Sequence, residues 1–424
     1  MESSVIALII LGATVVLFLT NWIPSAATAV LSCTMMVLFG VTSFSKAFSG
    51  FSNSTVILVF CLLTVGIAME NSGLAYSIGK LILRFAHSER LFVVAGMLLS
   101  AVLSMWLANT AVIVMFLAIV NSVVKASGEM RLKHVCLPIC MGAMFGGACT
   151  LIGSTPQLTV QTIMEANAGI TYKMFDFMPV GLCMLAVLVL YYLFFGYHMG
   201  KKLWKEDGDD VDEERMMELI HRSQMIAEGS KKNQIIVGCV LVLMMILFAT
   251  ELLSTTMTAL VVMFLLIILG QVKEKEIIAK MDWVVLIRLA GCLGIAAALD
   301  DCDAGRLIAD VFIGIFGSHI SESVLLLATI SLTLVISNFI TNSTAVFIVL
   351  PPVLAIVNGL GFNPAPFGIA CTYAASLTFA TPLANAQTGI TMVAGYKFGD
   401  YFKYNGLLEV IVVVMVWLLV PIFF

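Results

Sequence analysis

Ten stretches of the chain are predominantly apolar: 4–22, 25–43, 54–70, 135–152, 178–197, 233–252, 255–271, 283–300, 365–381 and 404–424. Each is close to the roughly 20 residues that a helix needs to cross the hydrocarbon of a bilayer. In that medium a segment must satisfy its own backbone N–H and C=O groups, and a helix does so within itself. The pattern therefore predicts an all-α polytopic membrane protein. Composition agrees: 61% of the residues are hydrophobic and 11% charged, against about 45–50% and about 25% in soluble domains. A soluble enzyme and a disordered scaffold are excluded. The 22 Lys and Arg are too dilute for a nucleic-acid-binding patch. Met1-Glu2-Ser3-Ser4 lacks the basic start of a removable signal, so the first run reads as a transmembrane helix. The ten cysteines form no Cys-x-x-Cys pair. Cys136 and Cys140 share a helix face without a His or acidic partner at metal-ligand spacing, and read as small apolar residues.

Two further apolar runs, about 90–124 and 322–358, are interrupted by uncharged polar clusters, Ala108-Asn109-Thr110 and Thr341-Asn342-Ser343-Thr344. Each is either two spans or one re-entrant hairpin with a polar tip, since non-helical backbone at membrane depth survives only inside protein or along a cavity. The clusters belong to a repeat. Gly73 and Gly305 follow Ser72 and Ala304 at a separation of 232 residues, Asn109 and Asn342 at 233, and Pro156 and Pro382 at 226. Two repeats follow, 1–200 and 233–424, joined by a connector at 201–232. Five spans plus one hairpin in each is an odd number of crossings, so the second repeat is inverted, a pattern found in transporters. With the connector in the cytoplasm, three of the basic residues (Lys46, Lys173 and Arg306) fall outside and the other 19 inside, as the positive-inside rule asks. Both termini are then outside, in a cell (inner or plasma) membrane.

Residues 73–86 place Leu74, Ile78, Leu81, Ile82 and Phe85 opposite Ser77, Lys80 and Arg84, an interfacial helix. Leu307, Ile308, Val311, Phe312 and Ile315 repeat the pattern. The connector carries nine acidic and seven basic side chains around Met216, Leu219 and Ile220, and reads as a solvated link with a short amphipathic helix.

A broken helix exposes N–H groups at one half-helix start and C=O groups at the other end. With Asn amides and hydroxyls the N–H ends suit an anion. The carbonyl ends suit a hard cation such as Na+. Glu70, Glu251, Asp300, Asp301 and Glu409 all fall near predicted span ends, so proton relays, which use intramembrane carboxylates, are disfavoured relative to Na+. No His/Asp constellation or carboxylate pair is placed to activate water, which weighs against an enzyme.

The paired tips, the run Gly146-Gly147-Ala148-Cys149-Thr150-Leu151-Ile152-Gly153-Ser154-Thr155-Pro156 and the run Ala380-Thr381-Pro382 resemble the divalent anion/sodium symporter family of the ion transporter superfamily. That resemblance implies dicarboxylate, citrate or sulfate carriage with Na+ at two or more sites, a homodimer, and an elevator mechanism with scaffold and transport domains. The family's Ser-Asn-Thr tip corresponds to Ala108-Asn109-Thr110 and Thr341-Asn342-Ser343. The resemblance implies substrate contacts from Asn109, Thr110, Ser154, Asn342, Ser343, Thr381 and Pro382. It implies one Na+ at Ser104, Ala108, Asn109 and Gly153, largely through carbonyls, and a second at Ser337, Ile340, Asn342 and Ala380. The expected function is Na+-coupled symport of a divalent organic anion by alternating access, with a C4-dicarboxylate such as succinate, malate or fumarate as cargo. A sulfate or citrate carrier, a dicarboxylate exchanger or an arsenite-type efflux permease is the alternative within the superfamily, and a polytopic membrane enzyme the remote one.

Overall fold

The computed structural model describes residues 3–20, 22–79, 88–127, 130–204, 211–218, 230–302, 307, 321–382 and 385–424. Every regular element among these described residues is helical, as an apolar medium requires. Five helices are long and apolar enough to cross a bilayer: Ser54–Ser72, Met178–Leu203, Lys231–Thr250, Asn342–Leu360 and Phe398–Phe423. A bent pair, Glu274–Lys280 with Trp283–Leu299 at 70°, makes a sixth. Six more apolar helices are shorter, and several of these end where the chain breaks. The protein is a multi-spanning membrane protein.

The order of elements in the first half returns in the second. Ser3–Thr20 and Ser25–Leu38 correspond to Lys231–Thr250 and Thr255–Ile268; the second member of each pair has 14 residues. Gly40 (φ 70°) and Gly270 (φ 67°) sit just beyond those helices, in the left-handed conformation that glycine adopts at no steric cost. Ser54–Ser72 and Trp283–Asp301 each have 19 residues. Then come Glu89–Ser104 with Asn109–Ser127, matched in length by Glu322–Ser337 with Asn342–Leu360. Next are the broken helices, Leu132–Gly147 with Thr155–Ala168 and Ala365–Ser376 with Ala386–Thr391. Each half closes on a 26-residue helix, Met178–Leu203 and Phe398–Phe423.

Packing sorts these helices into two groups. In one, the halves cross: Ser25–Leu38 lies on Trp283–Asp301, and Thr255–Ile268 on Ser54–Ser72. Small residues bring the backbones together, as in many membrane helix pairs. Gly291 faces Ala29, and Gly294 faces the Ala47 carbonyl and the Cys33 thiol. In the other group Glu89–Ser104 lies along Leu132–Gly147, and Glu322–Ser337 along Ala365–Ser376. Gly142 and Gly146 press on the backbone of Met97 and Ala101. The groups meet where Thr155–Ala168 packs on Trp283–Asp301. Large apolar side chains remain on the outside, Ile268 at 80%, Leu38 at 73% and Ile422 at 72% exposure, as a lipid-facing surface allows.

Leu74–Gly79 forms the start of the first amphipathic helix. Lys80, Leu81, Ile82, Arg84 and Phe85 lie outside the described residues, as do Ala304–Arg306, Ile308, Val311, Phe312 and Ile315. Of the connector, Met216 is buried in the core and the Asp212 N–H donates to the Val393 carbonyl at 3.2 Å. Leu219 and Ile220 lie outside the described residues. The final helix begins at Phe398, six residues before the expected span. Glu409, expected near a span end, therefore lies well inside a helix and is 6% exposed. The apolar run missed this because Lys397, Asp400 and Lys403 put charges at and inside the first turns, which are helical all the same.

Candidate functional site

The first interrupted run stops being helical after Ser104, and Asn109 opens the next helix. The Ser104 hydroxyl donates to Asn109 Oδ1 across the break, with both side chains buried. Gly147 lies so close to Asn109 that a Cβ built there would overlap its carboxamide oxygen, and Gly153 in turn abuts the Gly147 carbonyl. Thr150 Oγ1 donates to the Met105 carbonyl at 2.6 Å. The first break is thereby fastened to the first broken span. Ala108 is exposed and Thr110 half-buried at the rim of this cluster. The Ala108 carbonyl accepts from the N–H groups of Ala111 at 3.0 Å and Val112 at 3.2 Å, starting the new helix.

The second break repeats the device at the same five-residue spacing. Ser337 Oγ donates to Asn342 Oδ1 at 2.9 Å, and Thr378 Oγ1 donates to the same oxygen at 3.3 Å. Each Asn thus has its oxygen engaged by a hydroxyl, which orients its Nδ2 donors elsewhere. Ser343 is buried and its Oγ has no partner among the described residues. Such a group is costly in a closed core and ordinary in a ligand site. Ile340 and Ala380 are buried beside it, and Pro382 follows the break. Thr381 Oγ1 donates to the Asn338 carbonyl at 2.6 Å.

Gln157 joins the two broken spans. Its Nε2 donates to the Gly147 carbonyl at 2.9 Å, while its Oε1 accepts from Ser154 and, at 3.4 Å, from Ser376. The Ser154 and Ser376 hydroxyls are 3.4 Å apart. Phe145 stacks on Phe379 with ring centroids 5.7 Å apart. A chain of contacts therefore runs from Asn109 through Gly147, Gln157 and Ser376 to the break that holds Asn342. Sequence-expected residues from both halves are linked through Gln157, while no hydrogen bond ties Ala108, Thr110, Ile340, Ser343 or Pro382 to the others among the described residues.

Five participants were not anticipated: Gln157, Ser376, Thr378, Asn338 and Glu409. The Glu409 Oε1 accepts from the N–H groups of Phe379 and Ala380, both at 2.6 Å, and its Oε2 accepts from Asn338 Nδ2 at 3.1 Å. Gln157 had a readable signal, its place directly after Pro156. Among the described residues no group of three or more His, Cys, Asp or Glu is arranged to hold a metal, and Cys136 and Cys140 are buried 4.0 Å apart.

Comparison with known proteins bears on what this arrangement does. The chain is 26% identical over 421 residues to an uncharacterized transporter of Haemophilus influenzae, covering 95% of this chain and 88% of that one. It is 22% identical over 446 residues to the sodium-dependent dicarboxylate transporter SdcS of Staphylococcus saprophyticus, covering 95% and 84%. Its fold is similar to that of Neisseria gonorrhoeae MtrF, described as illuminating a class of antimetabolite efflux pumps, with a TM-score of 0.62 at 15% identity over 91% of this chain and 83% of that one. The model of the citrate transporter family (CitMHS) matches residues 15–249 and 245–424. These matches leave no place for the enzyme alternative: the chain is a membrane transporter and belongs to the citrate transporter family.

Proposed function

We propose that the protein is a Na+-coupled symporter of divalent organic anions, with a C4-dicarboxylate such as succinate, malate or fumarate as the cargo. One observation carries this reading: the same Ser–Asn pairing across a helix break occurs twice, and both copies pack against broken helices that meet at Gln157. Asn109, Thr110, Asn342 and Ser343, with Ser154, Thr381 and Pro382 beside them, offer amide and hydroxyl donors and half-helix N–H ends to two carboxylates. Ser104, Ala108, Asn109 and Gly153 form one Na+ site, and Ser337, Ile340, Asn342 and Ala380 the other, through carbonyl and side-chain oxygens. Each Na+ offsets part of the anion's charge, so a site without Arg or Lys at its tips binds a dianion weakly enough to release it.

In this reading the two interrupted runs are re-entrant hairpins and the repeats, 1–200 and 233–424, have opposite topology. The repeated element order and the crossed packing of the halves support it. The group of hairpins and broken spans is the transport domain of an elevator, the other group is its scaffold, and the working unit is a homodimer. The relative named as a sodium-dependent dicarboxylate transporter supports the choice of ion and cargo.

Purified protein in liposomes should take up labelled succinate when Na+ is higher outside and stop when choline replaces Na+. Uptake that ignores Na+ and follows a pH gradient would falsify the coupling. The family description names citrate, which favours a second reading of the cargo. Competition by succinate, malate, citrate and sulfate in the same assay separates the two.

A further inference from the structure

Glu409 places a carboxyl group well inside the 26-residue helix Phe398–Phe423 and is 6% exposed. Such a group is rare at membrane depth, and where it occurs it pairs, or serves transport. Its carboxylate is held by three donors, two of them the consecutive N–H groups of Phe379 and Ala380. Asn405, one turn earlier on the same face, donates to the Phe379 carbonyl at 2.8 Å. The final helix thus grips the second broken span by both sides of one peptide. Asn338, at the second tip, is gripped as well, donating to Glu409 and receiving Thr381 Oγ1 on its carbonyl.

These contacts bind residues 338 and 379–381 into one unit. The cation ligands proposed above for the second half, Ser337, Ile340, Asn342 and Ala380, lie on the same two strips of backbone. The carboxamide oxygens of Asn338 and Asn405 are buried and have no partner among the described residues. Charged or titratable side chains on the helices packed against this one include Cys371, Tyr373, Cys183, Tyr191, Glu322, His198, Lys201 and Lys202. None of them hydrogen-bonds or ion-pairs with Glu409 among the described residues, which leaves its charge without a protein counter-ion there. A hydrogen-bonded but uncompensated carboxylate beside carbonyls and unpartnered oxygens suits a hard monovalent cation.

We propose that Glu409 is the positioning residue of the cation site at the second break: it fixes the 379–381 turn and supplies the negative charge that balances the Na+ loaded there. The inference rests on the Na+ reading given under the proposed function.

Thermal melting of the purified protein across a NaCl series, with choline chloride holding ionic strength, tests it. Glu409→Gln keeps the shape and removes the charge, and should raise the half-saturating Na+ concentration roughly a hundred- to a thousand-fold, the effect of a unit charge about 4–6 Å away at an effective dielectric near 20. Glu409→Asp restores the charge and should bring half-saturation back toward the wild-type value. A purely structural residue would lower the melting temperature in both variants and leave half-saturation unchanged, which overturns the proposal while the Na+ reading stands. Wild-type protein that Na+ does not stabilise sinks that reading, and this inference with it. Should Glu409→Gln fail to fold, hydrogen exchange on the wild type decides: Na+ must slow the Phe379 and Ala380 amides, and unchanged exchange there overturns the assignment.

Discussion

At the scale of single residues, the two tip asparagines matter because their oxygens are already taken. Ser104 and Ser337 occupy Asn109 Oδ1 and Asn342 Oδ1, so in the proposed reading each amide offers its N–H donors to a carboxylate. Losing a hydrogen bond to a charged group costs about 1.5–3 kcal/mol. Asn109→Ala and Asn342→Ala should each weaken anion binding by roughly ten- to a hundred-fold and abolish measurable uptake. Gel filtration checks that the variants stay folded, and ligand-dependent melting shifts check the affinity. Normal transport by both would remove the tips from the site. These asparagines were legible in the sequence because an uncharged polar cluster inside an apolar run is expensive in hydrocarbon and stands out. Glu409 was not, and neither was the partner of Gln157. Hydropathy averages the start of the final helix with its charged first turns, which moved Glu409 to an apparent end. Gln157 has its role through Ser376, 219 residues away, and no local pattern encodes that partner.

At the scale of elements, the helix Glu89–Ser104 is seated by glycine. Gly146 has the Ala101 carbonyl and Cα where a Cβ would go, and the obstruction is backbone on both sides. Gly146→Ala should therefore destabilise the protein by about 1–3 kcal/mol through overpacking. Gly12, in the first helix, has nothing within 4 Å of an added Cβ, so Gly12→Ala should be neutral or mildly stabilising, because alanine restricts the unfolded chain. Melting temperatures of the two variants in one detergent make the comparison, and equal losses would mean the close approach carries no packing load. The helices themselves were legible, since hydrocarbon forces each apolar run to satisfy its own backbone. Whether an interrupted run crosses twice or turns back was not, because both paths leave every later connection on the same side.

At the scale of the whole molecule, polar contacts among the described residues tie the group of broken spans to the other group. Glu165 accepts from Thr55 Oγ1 at 2.7 Å and from Ser54 Oγ at 3.5 Å, and Lys173 lies 2.8 Å from Glu251. The ion pair is more than half exposed on both sides, so it contributes about 0–1 kcal/mol to stability; its use is as a reporter of movement. If the groups slide past one another during transport, Lys173→Cys with Glu251→Cys, joined by a short thiol cross-linker, should stop uptake, and the unlinked double variant should retain it. Uptake unchanged after complete cross-linking would mean that these two points stay together throughout the cycle. The crossed packing of the halves has a consequence for how the protein is made. Ser25–Leu38 finds its partner in a segment 258 residues further along, as the contact from the Cys33 thiol to the Gly291 carbonyl records. At translation rates of about 5–20 residues per second, that helix waits in the bilayer for roughly 10–50 s. During the wait its neighbour is the first helix, through the 2.6 Å contact between Thr14 and Ser32, and this early pair keeps two buried hydroxyls out of lipid until the second half is synthesised.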